Sequence, residues 1–263
     1  MNKYLFLTIV ISFIVGCSSN PPKESADTEN IQKKLRAEAE MGYLYSQMAE
    51  NTYKPHSTFS LPKNIMNTLN KDNDGYGFAY STFNRYKGSE LVEIVLSFRG
   101  TDQFWDWPIG NVLALQNNRG LAVYRELRDA TPNDIPITVI GHSLGGAIAL
   151  HVSLREENVQ TFVFNTSSRF TRGNAAENDR HSYSEYAEAN KILRTFAIDP
   201  KWVHSIYSCT YGNPLTNHSQ AKLSACLTAC AAQELPEARQ SVQNNPKIFG
   251  AGEIFDLACM EEA

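Results

Sequence analysis

The stretch Val139–Leu150, VIGHSLGGAIAL, constrains this chain more than any other segment. It begins inside IPITVIGH, a short β-branched run fit for a buried strand. It continues into SLGGAIALHVSLREE, which reads as a helix. Between the two, Gly141-His142-Ser143-Leu144-Gly145 fits G-x-S-x-G, a pattern that carries meaning only when a strand precedes it and a helix follows. Both are predicted here. A serine on so cramped a reversal adopts strained backbone angles, and flanking glycines let the strand and helix backbones approach one another. The pattern therefore predicts a nucleophile at a strand end, with a serine in a purely structural turn as the alternative.

The surrounding pattern predicts one α/β domain over residues 31–263, its last part, 205–263, being cysteine-containing. IQKKLRAEAEMGYLYSQMAENTY, from Ile31 to Tyr53, has apolar residues at helical spacing. GYGFAYSTFN and LVEIVLSFRGT read as strands joined by the glycine-containing segment RYKGSE, as in a hairpin. LAVYRELRDA is predicted helical, VQTFVFN and NKILRTFAID as strands, and roughly Thr166 to Ser184 as a polar loop. Strand, helix and strand in alternation argue for parallel pairing with right-handed crossovers. A net charge of −4, with no dense Lys/Arg stripe, argues against nucleic acid as the main partner.

The start of the chain, MNKYLFLTIVISFIVGC, has Lys3 and then an apolar run from Tyr4 to Val15. That run is short for a membrane span and right for a signal peptide, here residues 1–16. Ile14-Val15-Gly16-Cys17 resembles the bacterial lipobox, which implies a lipidated Cys17 at the mature N-terminus. Residues 17–30 are polar and proline-containing and are expected to tether the domain to its lipid. The expected location is the bacterial cell envelope, the outer membrane being favoured because Ser18-Ser19 lacks the aspartate that retains enteric lipoproteins at the inner membrane.

Export makes Cys209, Cys226, Cys230 and Cys259 an even set in an oxidising compartment, so two disulfides are expected, with three connectivities open. Cys226 and Cys230 lie one helical turn apart, so each is expected to bond a distant partner, Cys209 or Cys259. There is no C-x-x-C and no spaced histidine pair, and no metal or organic cofactor is expected.

A serine hydroxyl needs a base to take its proton and donors to hold the oxyanion that forms. The backbone N–H of Leu144 is the first donor. In VLSFRGTDQFWDW an apolar strand ends at Phe98, and Thr101 beyond it offers a second N–H and a hydroxyl. FRGT followed by DW, and then GHSLGGA, resembles the class 3 lipases, the fungal-lipase-type branch of the α/β-hydrolase fold, over roughly Met41 to Gln220. The resemblance implies a mostly parallel central sheet flanked by helices, an oxyanion role for Thr101, and a triad in the order Ser, Asp, His. In ILRTFAIDPKW the family's acid maps to Asp199, 199 − 143 = 56 residues after the serine. A capping Asp before a turn at Pro200 is the other reading.

The base is one of six histidines. His142 adjoins the serine and is expected to point away from it; His151 is expected at the surface or in packing on the helix. His56 and His181 are assigned to polar loops ahead of the acid. His204 follows Asp199 closely, whereas His218, in NPLTNHSQAKL, stands in a loop before a helix and resembles the family's His-Ser pair with Ser219. His218 is therefore the expected base, with His204 kept open.

Three departures from the family pattern bear on substrate. TFVFNTSSRF replaces T-F-G-x-P-R, NNRGLAV replaces H-x-G-F, and the short segment after Thr101 leaves little room for a long lid. Phe104, Trp105, Trp107 and Ile109 form either an acyl-chain wall or core. The expectation is a serine hydrolase that cleaves carboxylic esters of lipids through an acyl-enzyme, with triacylglycerol lipase, phospholipase and carboxylesterase all open. The competing class is a non-catalytic envelope lipoprotein that uses the fold as a scaffold. Oligomeric state is not legible.

Overall fold

Apolar residues alternate along the central strands, and the alternation sorts them into two cores. Ile94, Leu96, Ile137, Val139 and Val163 point to one face of a sheet; Val95, Ile140, Phe162 and Phe164 point to the other. The computed structural model describes residues 26–53, 58–72, 77–100, 111–167, 177–186, 202–209 and 216–250.

Seven strands make one sheet in sequence order: β1 (Ile65–Lys71), β2 (Tyr80–Lys87), β3 (Glu90–Phe98), β4 (Ile137–His142), β5 (Thr161–Phe164), β6 (Arg180–Glu185) and β7 (Val203–Tyr207). The pairs β1–β2 and β2–β3 are antiparallel; β3 through β7 are parallel. The β2–β3 hairpin closes on Gly88 and Ser89, between the paired Lys87 and Glu90. Gly88 has φ 65° while Ser89 stays negative, the φ pattern of a type II′ turn, whose first central residue favours glycine.

Helices α2 (Asn111–Ala130) and α3 (Leu144–Ser153) connect β3 to β4 and β4 to β5, and both pack on one face, as successive right-handed crossovers in one direction require. The other face is covered from the two ends of the chain. There α1 (Ala26–Asn51) lies against α4 (Gln220–Ala231), followed by α5 (Pro236–Asn244) and α6 (Pro246–Phe249). The α1–α4 seam is partly polar and largely paired: Gln47 Nε2 donates to Thr228 Oγ1 at 2.8 Å and to Ser241 Oγ, on the following helix, at 2.9 Å. Ser46 O accepts from Ser224 Oγ and Gln220 Nε2 at 2.8 and 2.9 Å. Among the described residues no helix is long and apolar enough to cross a membrane.

Several expectations change. The loop expected over Thr166 to Ser184 contains β6, whose six residues are all buried although RHSYSE is polar. Tertiary partners make that burial tolerable: Arg180 Nε donates to Ser153 Oγ at 2.7 Å, His181 Nδ1 meets Glu38 Oε2 at 2.9 Å, and Glu185 Oε1 accepts from Cys209 N at 2.8 Å. His181 is thus a strand residue, not a loop residue. The edge strand β1 was not expected, because most of it is exposed and its sequence is largely polar. α3 stops at Ser153, short of the predicted Glu157. α1 begins at Ala26, inside the segment expected to be tether; Glu29, near its start, complements the helix dipole. The strand expected over NKILRTFAID lies outside the described residues.

Candidate active site

Every residue of β4 is buried, and so is every residue of α3. The chain passes from one to the other through a single residue, Ser143, at φ 55° and ψ −120°. Ser143 shares a positive φ with only two other described non-glycine residues, Asn158 and Asn165. A side chain held there persists only where its surroundings enforce it. They do so on both sides. The Ser143 N–H bonds to Phe164 O at 3.0 Å, continuing the sheet ladder, and its carbonyl accepts from Ser167 N at 3.0 Å and Ala147 N at 3.3 Å.

Two of the glycines are required by close approach. A β-carbon on Gly141 would press into the Gly145 backbone, and one on Gly145 would overlap the carbonyl of Phe98 at the end of β3. This packing draws α3 against β3. Gly100 follows: a β-carbon there would come within 3.0 Å of Ser143 Cβ and 2.7 Å of His142 O. The end of β3 therefore lies directly beside the serine.

His218 closes a single 3-10 turn, Thr216–His218, just before α4, whose N-cap Ser219 accepts from Lys222 N at 3.4 Å. Its Nε2 lies 2.9 Å from Ser143 Oγ, across 75 residues of sequence. The serine is 2% exposed, and the histidine is half-buried. Two side chains at the ends of β4 and β5 hold the turn by its backbone. Asn165 Nδ2 donates to Asn217 O at 3.3 Å, and His142 Nε2 bonds His218 O at 2.9 Å. Asn165 Oδ1 in turn accepts from Glu185 N at 3.0 Å, which ties the turn to β6.

On the oxyanion side, Leu144 is the first residue of α3, so its N–H has no carbonyl four residues back within the helix. That N–H and the positive end of the helix stand immediately after Ser143 in the chain. Ser143, Leu144 and His218 are thus brought together. Thr101, Asp199, Phe104, Trp105, Trp107, Ile109, Cys17 and Cys259 lie outside the described residues.

Of the other histidines, His56 lies outside the described residues, and the rest are accounted for by position. His204 pairs with Ser182, Ser182 with Val163 and Val163 with Gly141. Three strand spacings of about 4.8 Å separate it from β4, which removes it as a base for Ser143. His181 stacks on Phe162 with ring centroids 5.0 Å apart. His151 is buried in α3, and burial, helped by Arg155, pushes its pKa down to about 4. His142 turns away from the serine as expected, but toward the turn that carries His218, a contact that sequence reasoning did not find.

Cys209 and Cys226 are bridged, which realises one of the expected distant pairings, and Cys230 is also disulfide-bonded. Glu185 lies beside the Cys209–Cys226 pair, close enough for the three side chains to resemble a metal-ligand set. With both sulfurs in a disulfide no thiolate is available, so the group does not fit a metal.

A mostly parallel sheet carrying a strained serine between a buried strand and a buried helix defines the α/β-hydrolase fold. No protein-family model matches the chain, and no curated protein matches it. Solved structures that resemble it include the Rhizomucor miehei lipase in complex with its propeptide, at 14% identity and a TM-score of 0.43, covering 76% of this chain and 78% of that one. A triacylglycerol lipase from Penicillium expansum aligns at 10% identity and a TM-score of 0.46, over 69% of this chain and 89% of that one. Lipase II from Rhizopus niveus aligns at 14% identity and a TM-score of 0.41, over 63% and 77%. At these distances the catalytic reading rests on this chain's own geometry.

Proposed function

We propose that this protein is a serine hydrolase that cleaves carboxylic esters of lipids through an acyl-enzyme on Ser143. The observation that carries the reading is the strained Ser143 with His218 Nε2 2.9 Å from its Oγ. Catalytic hydrogen bonds of this length let the imidazole take the hydroxyl proton as the oxygen attacks. In the proposed cycle Ser143 Oγ adds to the ester carbonyl while His218 Nε2 accepts the proton. The tetrahedral oxyanion is held by the Leu144 N–H and, by resemblance, by Thr101. Collapse breaks the ester C–O bond, and His218 returns the proton to the departing alcohol. Water, deprotonated by His218, then attacks the acyl-serine; the carboxylic acid leaves and Ser143 regains its proton. Asp199 is assigned to the third position, holding His218 in the correct tautomer and stabilising the imidazolium.

An aromatic wall of Phe104, Trp105, Trp107 and Ile109 suits an acyl chain, and a lipidated Cys17 would place the domain at a bacterial envelope membrane, where such esters are found. Both assignments rest on sequence. Neutral lipase, phospholipase and short-chain esterase share this chemistry and differ in what the site admits.

Hydrolysis of p-nitrophenyl esters from short to long acyl chains, by the domain from Ser18 onward, tests the reading beside Ser143→Ala and His218→Ala. Turnover in the wild type, lost in both variants, is the expected result. A folded wild type that neither hydrolyses any ester nor labels with a fluorophosphonate would turn the interpretation to a scaffolding lipoprotein.

A further inference from the structure

His142 makes two hydrogen bonds that join parts of the site far apart in sequence. Its Nε2 lies 2.9 Å from the carbonyl oxygen of His218. A carbonyl only accepts, so Nε2 carries the proton. In the neutral ring Nδ1 is then the acceptor, and Tyr53 Oη, 2.7 Å away, donates to it. Tyr53 Oη keeps its lone pairs for Gly100 N–H, which donates to it at 3.0 Å. The bonds run in one direction, from Gly100 N–H through Tyr53 and His142 to the backbone of the base.

Each end of this chain sits on a reacting part. Gly100 lies just past the end of β3, beside Ser143, and immediately precedes Thr101. His218 carries the base. The middle is fixed by the fold. Tyr53 is held at the end of α1, where Tyr53 N bonds Glu50 O at 3.0 Å and the neighbouring Asn51 side chain clamps both the N–H and the carbonyl of Phe59. His142 is the last residue of β4, locked by the sheet ladder. The Tyr53 and His218 rings flank the His142 ring, with centroids 5.7 and 4.8 Å from it.

Resting on the reading of Ser143 and His218 as the reacting pair, we propose that Tyr53 and His142 are positioning residues: a hydrogen-bonded brace that holds the base turn and the oxyanion end of β3 in register across the nucleophile. The hydrogen bonds of the brace go to the backbone of His218 and Gly100, not to Ser143 Oγ or His218 Nε2. It fixes the backbone that carries them, and displacement of a catalytic group by about 1 Å costs about a hundredfold in rate.

The test uses Tyr53→Phe, His142→Leu and His142→Gln. The Gln Nε2 keeps a donor near the position of the imidazole Nε2–H. Steady-state p-nitrophenyl ester hydrolysis is measured and normalised to serines titrated with a fluorophosphonate, so that misfolded protein is not counted. The expected result is a fall in kcat per titrated site of about tenfold to a hundredfold in Tyr53→Phe and His142→Leu, with KM within about twofold and with most of the loss restored in His142→Gln. Wild-type kcat in Tyr53→Phe and His142→Leu overturns the brace. So does a loss that moves kcat and KM together and that Gln does not relieve, since packing alone produces that. If His142→Leu does not fold, Tyr53→Phe, which removes a single oxygen, decides the matter. An unchanged variant beside an active wild type and a dead Ser143→Ala overturns the brace alone; a wild type that neither turns over nor labels overturns the hydrolase reading and the brace with it.

Discussion

Removal of the Cys209–Cys226 bridge separates what stabilises the base turn from what aims it. The bridge spans 17 positions, from the end of β7 to α4, and His218 lies inside the loop it closes. A cross-link over that many residues restricts the unfolded chain by about 3 kcal/mol at 25 °C in the chain-entropy description. For a domain of this size, Cys209→Ala/Cys226→Ala should therefore melt about 6–12 °C below wild type. The folded turn keeps its other supports: Asn165 on Asn217 O, His142 on His218 O and the Ser219 cap of α4. Ester turnover per titrated serine at 25 °C should accordingly stay within about twofold of wild type. Thermal melts and active-site-normalised kinetics on the same preparations read both quantities. A melting point within about 2 °C of wild type would refute the loop-entropy reasoning. A tenfold fall in turnover would refute the claim that the remaining contacts suffice.

Gly145→Ala places a methyl group on the Phe98 carbonyl and must push α3 away from β3; a stability loss of about 3 kcal/mol in urea melts, together with loss of fluorophosphonate labelling, is expected. Wild-type labelling in that variant would contradict the close approach. His151 is 3% exposed, its ring nitrogens have no hydrogen-bond partner among the described residues, and burial lowers its pKa to about 4. The unfolded chain binds that proton more readily, so the stability this group permits is complete above about pH 6.5 and is lost as pH falls toward about 4, by about 3 kcal/mol in all. His151→Leu should abolish that part of the acid sensitivity and leave the neutral-pH stability unchanged or higher; an undiminished loss between urea melts at about pH 7 and about pH 4.5 would count against it.

What the sequence reveals follows from how local each signal is. The unit from Ile137 to Ser153 is legible because strand, glycine spacing and helix all lie in one contiguous run. The β2–β3 hairpin is legible for the same reason, its glycine standing where a two-residue turn needs one. β6 is not, because RHSYSE becomes a buried strand only through Glu38, Ser153 and Cys209, supplied from three distant places. β1 is a polar edge strand whose sequence resembles a loop. His218 was reached through a family resemblance and the order of the triad, and the sheet register then removes His204. The brace had no sequence signal: His142 reaches His218 across 76 residues and Tyr53 reaches His142 across 89. A histidine before a nucleophilic serine and a tyrosine ending a helix are each unremarkable until the fold sets them beside one another.

The most direct measurement is peptide mapping by mass spectrometry after rapid acid quench of a p-nitrophenyl ester reaction. The account predicts an acyl group on Ser143, within the peptide that contains Gly141 to Gly145, formed in the pre-steady state and absent from Ser143→Ala. It predicts slower formation of the same adduct in His218→Ala. Turnover with no adduct at Ser143, or equal turnover in Ser143→Ala, would contradict it.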